Sequence, residues 1–171
     1  CNKSLYWTRH QKILFALKQT LRFHDVFSST HCSDLPLPGK TKGGADLKIF
    51  GKELAIVDIT VPYCTQKQGL QSAFQRKKRV YREFTALTGL EVTPFVLSHR
   101  GIMHPKTLMA LKGWVDTRQA IADIIVNTQC GLIEGTAQAL QIMFAGGTLS
   151  SQMIDLRLDE KDDEECNYDE I

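Results

Sequence analysis

Between residues 45 and 62 the chain reads as two short runs rich in Ile and Val, Ala45 to Phe50 and Leu54 to Pro62, separated only by Gly51-Lys52-Glu53. A three-residue connection containing glycine joins such runs as an antiparallel hairpin, and the hairpin sets the register. Phe50 then faces Leu54, Lys48 faces Ile56, and Asp46 faces Asp58 on the same side, with Cβ atoms about 5 Å apart. Two carboxylates are therefore predicted to meet, and they repel unless a cation stands between them. Asp58 carries more weight than Asp46, because it interrupts Leu54-Ala55-Ile56-Val57-Asp58-Ile59, where a charge calls for compensation or a function. The ordinary alternative is a pair of strand-end aspartates facing water. Hard divalent cations take this kind of sparse carboxylate site together with water and a phosphate oxygen, which points to Mg²⁺, with Mn²⁺ as its substitute.

The segments around the hairpin place it in an α/β fold, a central mixed β-sheet flanked by helices. From Trp7 to Phe23, Ile13, Leu14, Leu17 and Leu21 recur at helical spacing with Lys12, Lys18 and Arg22 between them, an amphipathic helix with a basic outer face. Residues 28–44 turn to Ser, Thr, Pro, Gly and Lys, the composition of a loop. After the hairpin a helix is expected from about Lys67 to Leu87, ended by Gly89, then a strand from Val92 to Leu97. Pro105 suits the first turn of a helix, and Asp116 to Thr128 and Thr136 to Phe144 read as two more. With 43% hydrophobic and 23% charged residues the chain supports one packed core, and no stretch approaches the roughly 18 apolar residues of a membrane span.

Charge is unevenly spread. Residues 155–171 hold nine acidic and two basic side chains, a net of −7, against +9 for residues 1–154. A basic body attracts polyanions, so nucleic acid is the first partner to consider, and 155–171 reads as an acidic, flexible tail. Cys1, Cys32, Cys64, Cys130 and Cys166 form no CxxC pair and are odd in number, which suits a reducing compartment; most are expected to be small buried apolar residues. The start at Cys1-Asn2-Lys3 reads as a piece of a longer protein. Gly39-Lys40-Thr41 lacks the glycine a triphosphate loop needs five residues earlier, where Asp34 stands, leaving Lys40 and Lys42 as backbone-phosphate contacts or as plain solvated loop.

On the helix after the hairpin, Leu70, Phe74, Tyr81 and Phe84 share one stripe, and Lys77 falls on it. An ammonium there, beside two carboxylates, suits orienting an attacking water and offsetting charge on a phosphorane-like transition state, with Tyr81 one turn later to hydrogen-bond nearby. Snorkelling of Lys77 from the stripe edge, with Tyr81 as core, is the other reading. Arg76, Lys78, Arg79 and Arg82 point away as a basic patch.

Arg9-His10-Gln11-Lys12-Ile13 matches an RHxxI motif, and Ala45-Asp46, Ile56-Val57-Asp58-Ile59-Thr60-Val61-Pro62, the Lys-x-x-x-Tyr helix and Pro94-Phe95-Val96-Leu97-Ser98 follow in order. Over about residues 1–112 this set resembles the restriction-like endonuclease domain of site-specific non-long-terminal-repeat retrotransposons, within the PD-(D/E)xK superfamily. The resemblance implies an Mg²⁺-dependent endodeoxyribonuclease domain over 1–154, with Asp46 and Asp58 as metal ligands, Lys77 as the active-site lysine and Tyr81 beside it. Arg9 and His10 would contact DNA or support the site. It further implies nicking of one strand to leave a 3′ hydroxyl that primes reverse transcription, a reverse transcriptase domain in the same polyprotein as partner, and a nuclear location. A catalytically weak DNA-binding module and a junction-resolving nuclease are the alternatives. Three departures stand out. Ala45 replaces the family's Pro; Thr60 stands where the wider superfamily places its lysine, so the lysine must come from the helix, as this family's migrated lysine does; and of the family's upstream Cys-Cys-His-Cys zinc knuckle only the last ligand remains, as Cys1, so no zinc site is expected.

Overall fold

The computed structural model describes residues 3–30, 45–63 and 67–144. Among them the chain is mixed α/β, with five helices and a four-stranded mixed sheet in the order β1-β2-β3-β4. In sequence the elements are α1 (Lys3–Phe23), β1 (Phe27–Ser29), β2 (Leu47–Phe50), β3 (Leu54–Thr60), α2 (Lys67–Val80), α3 (Arg82–Thr88), β4 (Val92–Val96), α4 (Pro105–Trp114) and α5 (Arg118–Phe144).

The hairpin has the register its loop predicts. Leu47 faces Val57, Lys48 faces Ile56 and Phe50 faces Leu54. Gly51 is required at the loop, because a Cβ there would stand 2.2 Å from the Trp114 carbonyl oxygen, and the Glu53 amide bonds the Gly113 carbonyl, so the hairpin tip docks on the end of α4. β4 runs parallel to β3 and sets Pro94 opposite Asp58. Proline is tolerated there because β4 is an edge strand. The buried Thr107 hydroxyl of α4 covers that edge, donating to the Pro94 carbonyl and accepting from the Val96 amide.

Alternation along β3 divides the molecule into three layers. Ala55, Val57 and Ile59 face a core built with Ile13, Leu17 and Leu21 of α1, Leu111 and Trp114 of α4, and Ile124 and Leu132 of α5. Each such fully buried aliphatic side chain contributes about 1.5–3 kcal/mol relative to exposure. On the opposite face, Ile56 packs with Tyr81, Phe84 and Val92, while Leu70, Ala73 and Phe74 of α2 pack on Val96. Asp58, two residues after Ile56, points to this second layer, toward α2.

Four expectations are corrected. Residues 28–44 do not begin as loop, since Phe27–Ser29 pairs antiparallel with β2. The helix expected over Lys67 to Leu87 divides at Tyr81, whose φ of −91° and ψ of 3° separate α2 from α3. The two C-terminal helices are one, α5, running unbroken through Gly131 and Gly135. These glycines answer to packing: a Cβ on Gly131 would lie 2.8 Å from the Lys12 carbonyl oxygen, and one on Gly135 2.8 Å from the Arg9 Cα. Cys130, expected among the buried small residues, is exposed and unpaired.

Candidate active site

The site forms where three elements converge: the hairpin supplies two carboxylates, α2 an ammonium, and the N-terminal half of α1 an imidazole. Asp58 is 5% exposed, and the Lys77 Nζ stands 3.1 Å from its Oδ2. The stripe of Leu70, Phe74 and Tyr81 turns that side of α2 to the sheet, and carries Lys77 with it. Asp58 Oδ2 is buried, with the Lys77 ammonium as its ion-pair partner and no geometric hydrogen bond of its own. Tyr81, at the break between α2 and α3, hydrogen-bonds the same carboxyl group.

Asp46 lies just before β2, its amide bonded to the Val57 carbonyl. Its Oδ2 accepts the Ile59 amide at 2.6 Å and the His10 Nε2–H at 3.0 Å. His10 is itself buried, with Tyr6 and Trp7 rings stacked near it at 6.1 and 5.9 Å, and its Nδ1 has no partner. One step beyond the Leu47–Val57 pair of the hairpin, the two carboxyl groups come close enough to influence each other's ionisation.

Burial first, and then the neighbouring Asp46 charge, push Asp58 up to about 6, with Lys77 and Tyr81 holding it from rising further. For Asp46 burial acts in the same upward direction, but the His10 bond and charge and the Ile59 amide outweigh it and hold the group below the usual carboxylate range. His10 is raised: burial opposes its charge, and Asp46, backed by Asp58, overrides burial. Lys77 follows the same pattern, with Asp58, Tyr6 and Asp46 raising it against burial. The cluster thus sets an ammonium and an imidazole, both biased toward their protonated forms, against one carboxyl group biased toward ionisation and a second raised to about 6.

Among the described residues no group of three or more His, Cys, Asp or Glu side chains is arranged to hold a metal ion. What Asp46 and Asp58 offer is a two-carboxylate site with one buried oxygen lacking an aligned donor, which fits a hard cation that keeps most of its coordination as water.

The remaining sequence candidates divide. Arg76, Arg79 and Arg82 are exposed on α2 and α3. Lys78 is half-buried and pairs with Glu91, a partner its surroundings in sequence did not suggest. Arg9 donates from Nε to the Thr136 hydroxyl of α5 at 2.8 Å. Of the two roles open to His10, its burial and its bond to Asp46 are those of support for the site. Lys40 and Lys42 lie outside the described residues, as do Cys1, Cys32, Cys64 and Cys166. Sequence reasoning missed Tyr6, which acts on Lys77, although its place one helical turn before His10 was the available signal. A groove of about 610 Å³ between α1 and α5, lined by Phe15, Phe23 and Cys130 among others, contains none of the clustered residues. No protein-family model matches this chain, and no curated protein does.

Proposed function

We propose that the chain is a metal-dependent DNA endonuclease domain of the PD-(D/E)xK kind, nicking one strand to leave a 3′ hydroxyl that primes reverse transcription of a retrotransposon. The observation that carries this reading is the Lys77 ammonium, placed inside the apolar stripe of α2 and 3.1 Å from a buried aspartate that itself meets Asp46 across the hairpin. Two carboxylates and a lysine on a hairpin followed by a helix and a parallel strand are the parts such a nuclease needs. A buried charge cluster of this composition is costly to fold, which favours a functional role.

In this reading Asp46 and Asp58 hold Mg²⁺ or Mn²⁺, which when bound supplies positive charge beside the scissile phosphate. His10 and the Ile59 amide fix the Asp46 carboxylate, and Tyr81 fixes that of Asp58, so neither must reorganise when DNA arrives. Lys77, kept protonated at neutral pH, donates to the attacking water or to a non-bridging phosphate oxygen and offsets charge as it develops. The water oxygen joins phosphorus and gives up a proton to solvent, the bond from phosphorus to O3′ breaks, and O3′ takes a proton from solvent, leaving a 3′ hydroxyl and a 5′ phosphate. The basic body, including the exposed Arg76, Arg79 and Arg82, binds the phosphate backbone. The same reading makes the nucleus the place of action and a reverse transcriptase domain of the parent polyprotein the partner.

Nicking of supercoiled plasmid in Mg²⁺ or Mn²⁺, abolished by chelator, is the expected result. Full cleavage in chelator would remove the metal from the mechanism, DNA binding without any cleavage would leave a binding module, and a strong preference for four-way over linear substrates would make the chain a junction-resolving enzyme.

A further inference from the structure

Beyond the last residue of β3 the chain continues through Val61 and Pro62 to Tyr63, a side chain that packing does not explain. It is 77% exposed, yet its ring is ordered by stacking on His99 with centroids 4.2 Å apart and planes 23° from parallel. His99 is anchored in turn: its amide bonds the Pro62 carbonyl, and the turn that follows is closed by Gly101, with φ of 80° and its amide on the Ser98 carbonyl. One face of Tyr63 therefore rests on a fixed ring while the other meets water. Two arginines belong to the same neighbourhood: Arg9, whose ionisation senses Tyr63, and the exposed Arg100, next to His99 in the chain.

We propose that Tyr63, stacked on His99, is a platform for an unpaired DNA base beside the candidate site, with Arg9 and Arg100 serving the adjoining phosphates. The proposal rests on the nuclease reading for the identity of the nucleic acid and extends it to the state of the strand. A base inside a duplex has both faces covered by its neighbours, so a single open aromatic face serves one that has left the stack. An ordered ring also takes up the base with little further loss of side-chain freedom. The position is suitable: Tyr63 follows Asp58 by five residues, so their Cα atoms are at most about 18 Å apart, or about five base steps of duplex rise. The exposed Phe27, paired with Phe50 at 5.4 Å near the tip of the hairpin, provides a control for a merely sticky aromatic.

The experiment uses the whole 171-residue chain in chelator, so that binding is read without cleavage. Affinities are measured for a single-stranded oligonucleotide carrying 2-aminopurine and for a duplex of the same sequence. Tyr63→Ala should weaken single-strand binding by about tenfold or more and abolish the stacking-induced quench of 2-aminopurine. Tyr63→Phe and Tyr63→Trp should retain both, and duplex affinity should change by less than about twofold in all three, since the phosphate contacts remain. Phe27→Ala should behave as wild type, and an unchanged thermal midpoint checks that each variant is folded. The platform is overturned if Tyr63→Ala keeps single-strand affinity and quench, if Phe27→Ala reproduces its loss, or if the wild type binds duplex but no single strand. A wild type that binds neither form overturns the platform together with the nuclease reading.

Discussion

Where α1 crosses α5 and where Lys77 of α2 reaches Asp58 of β3, a helix meets its neighbour, and the two contacts are built from opposite materials. The first uses the absence of side chains: Gly131 and Gly135 let the backbone of α5 approach Lys12 and Arg9 of α1, with Ile13, Leu17, Ile124 and Leu132 buried alongside. The second places charges where apolar groups would pack, with Lys77 against Asp58 and Asp46 beyond. Burial of apolar surface makes the first contact stabilising on its own. At the second, the desolvation of the charged groups roughly cancels their attraction, so its stability contribution is small and its cost is justified by what the charges do together. Changes at the two places should therefore separate cleanly into loss of fold and loss of chemistry.

The largest expected effect is on chemistry. Asp46→Asn, Asp58→Asn and Lys77→Ala should each lower the single-turnover rate of nicking by roughly a hundredfold or more, with modest change in DNA affinity. Lys77→Ala that cleaves at the wild-type rate would break the comparison, since α2 would then carry a buried cation to no purpose. At the other contact, Gly131→Ala or Gly135→Ala drives a methyl group against fixed backbone and should cost about 1–3 kcal/mol. For a chain of this length that corresponds to about 2–4 °C in Tm for each kcal/mol, measurable by thermal denaturation, while the folded protein cleaves normally.

A third effect lies in the pH dependence of stability. Asp58 titrates at about 6 in the folded chain, above its unfolded value near 3.9. A group raised on folding contributes stability that is fully present below the unfolded value and is lost as pH rises through the folded one. Between pH 4 and pH 7 the wild type should thus lose stability, on the order of 2 kcal/mol, that Asp58→Asn does not lose. The quantity to compare is this slope, read from denaturant titrations at several pH values, because the variant also deprives Lys77 of its partner and shifts the absolute stability at every pH. Parallel slopes would show that folding leaves the ionisation of Asp58 unshifted.

The hairpin was legible from sequence because a three-residue glycine loop leaves one register that faces Ile59 inward, and the same alternation sends Asp58 to the other face. Lys77 was legible for a like reason, as one charge on a helical stripe of apolar residues. The failures share a different cause. Gly131 and Gly135 read as helix breakers when only local propensity is weighed, and their purpose depends on α1, more than a hundred residues earlier. β1 is three residues long with no alternation to detect, and exists because the edge of β2 is there to pair with it. The bond from His10 to Asp46 joins residues 36 apart that no periodicity connects.

The smallest expected effects test the outer side of α2, one residue beyond the site. Lys78 is rotated about 100° from Lys77 around the helix, pairs with Glu91, and reaches neither carboxylate of the site. A surface pair of this kind, with Lys78 half-buried and Glu91 exposed, contributes roughly 0–1 kcal/mol, so neither Lys78→Ala nor Glu91→Gln should move Tm by more than a few degrees. Their effects on DNA should have opposite signs. Losing Lys78 removes one backbone contact, lowering affinity a few-fold and the salt slope by about 1, whereas Glu91→Gln releases that ammonium from its partner and should strengthen binding by a comparable factor. Single-turnover cleavage at saturating protein should be unchanged in both. If Glu91→Gln leaves affinity where it was while Lys78→Ala lowers it, Lys78 is already serving DNA and holds Glu91 only in the free protein. If Lys78→Ala slows the cleavage step itself, the two faces of α2 do not divide chemistry from binding, and the contrast between Lys77 and its neighbour fails.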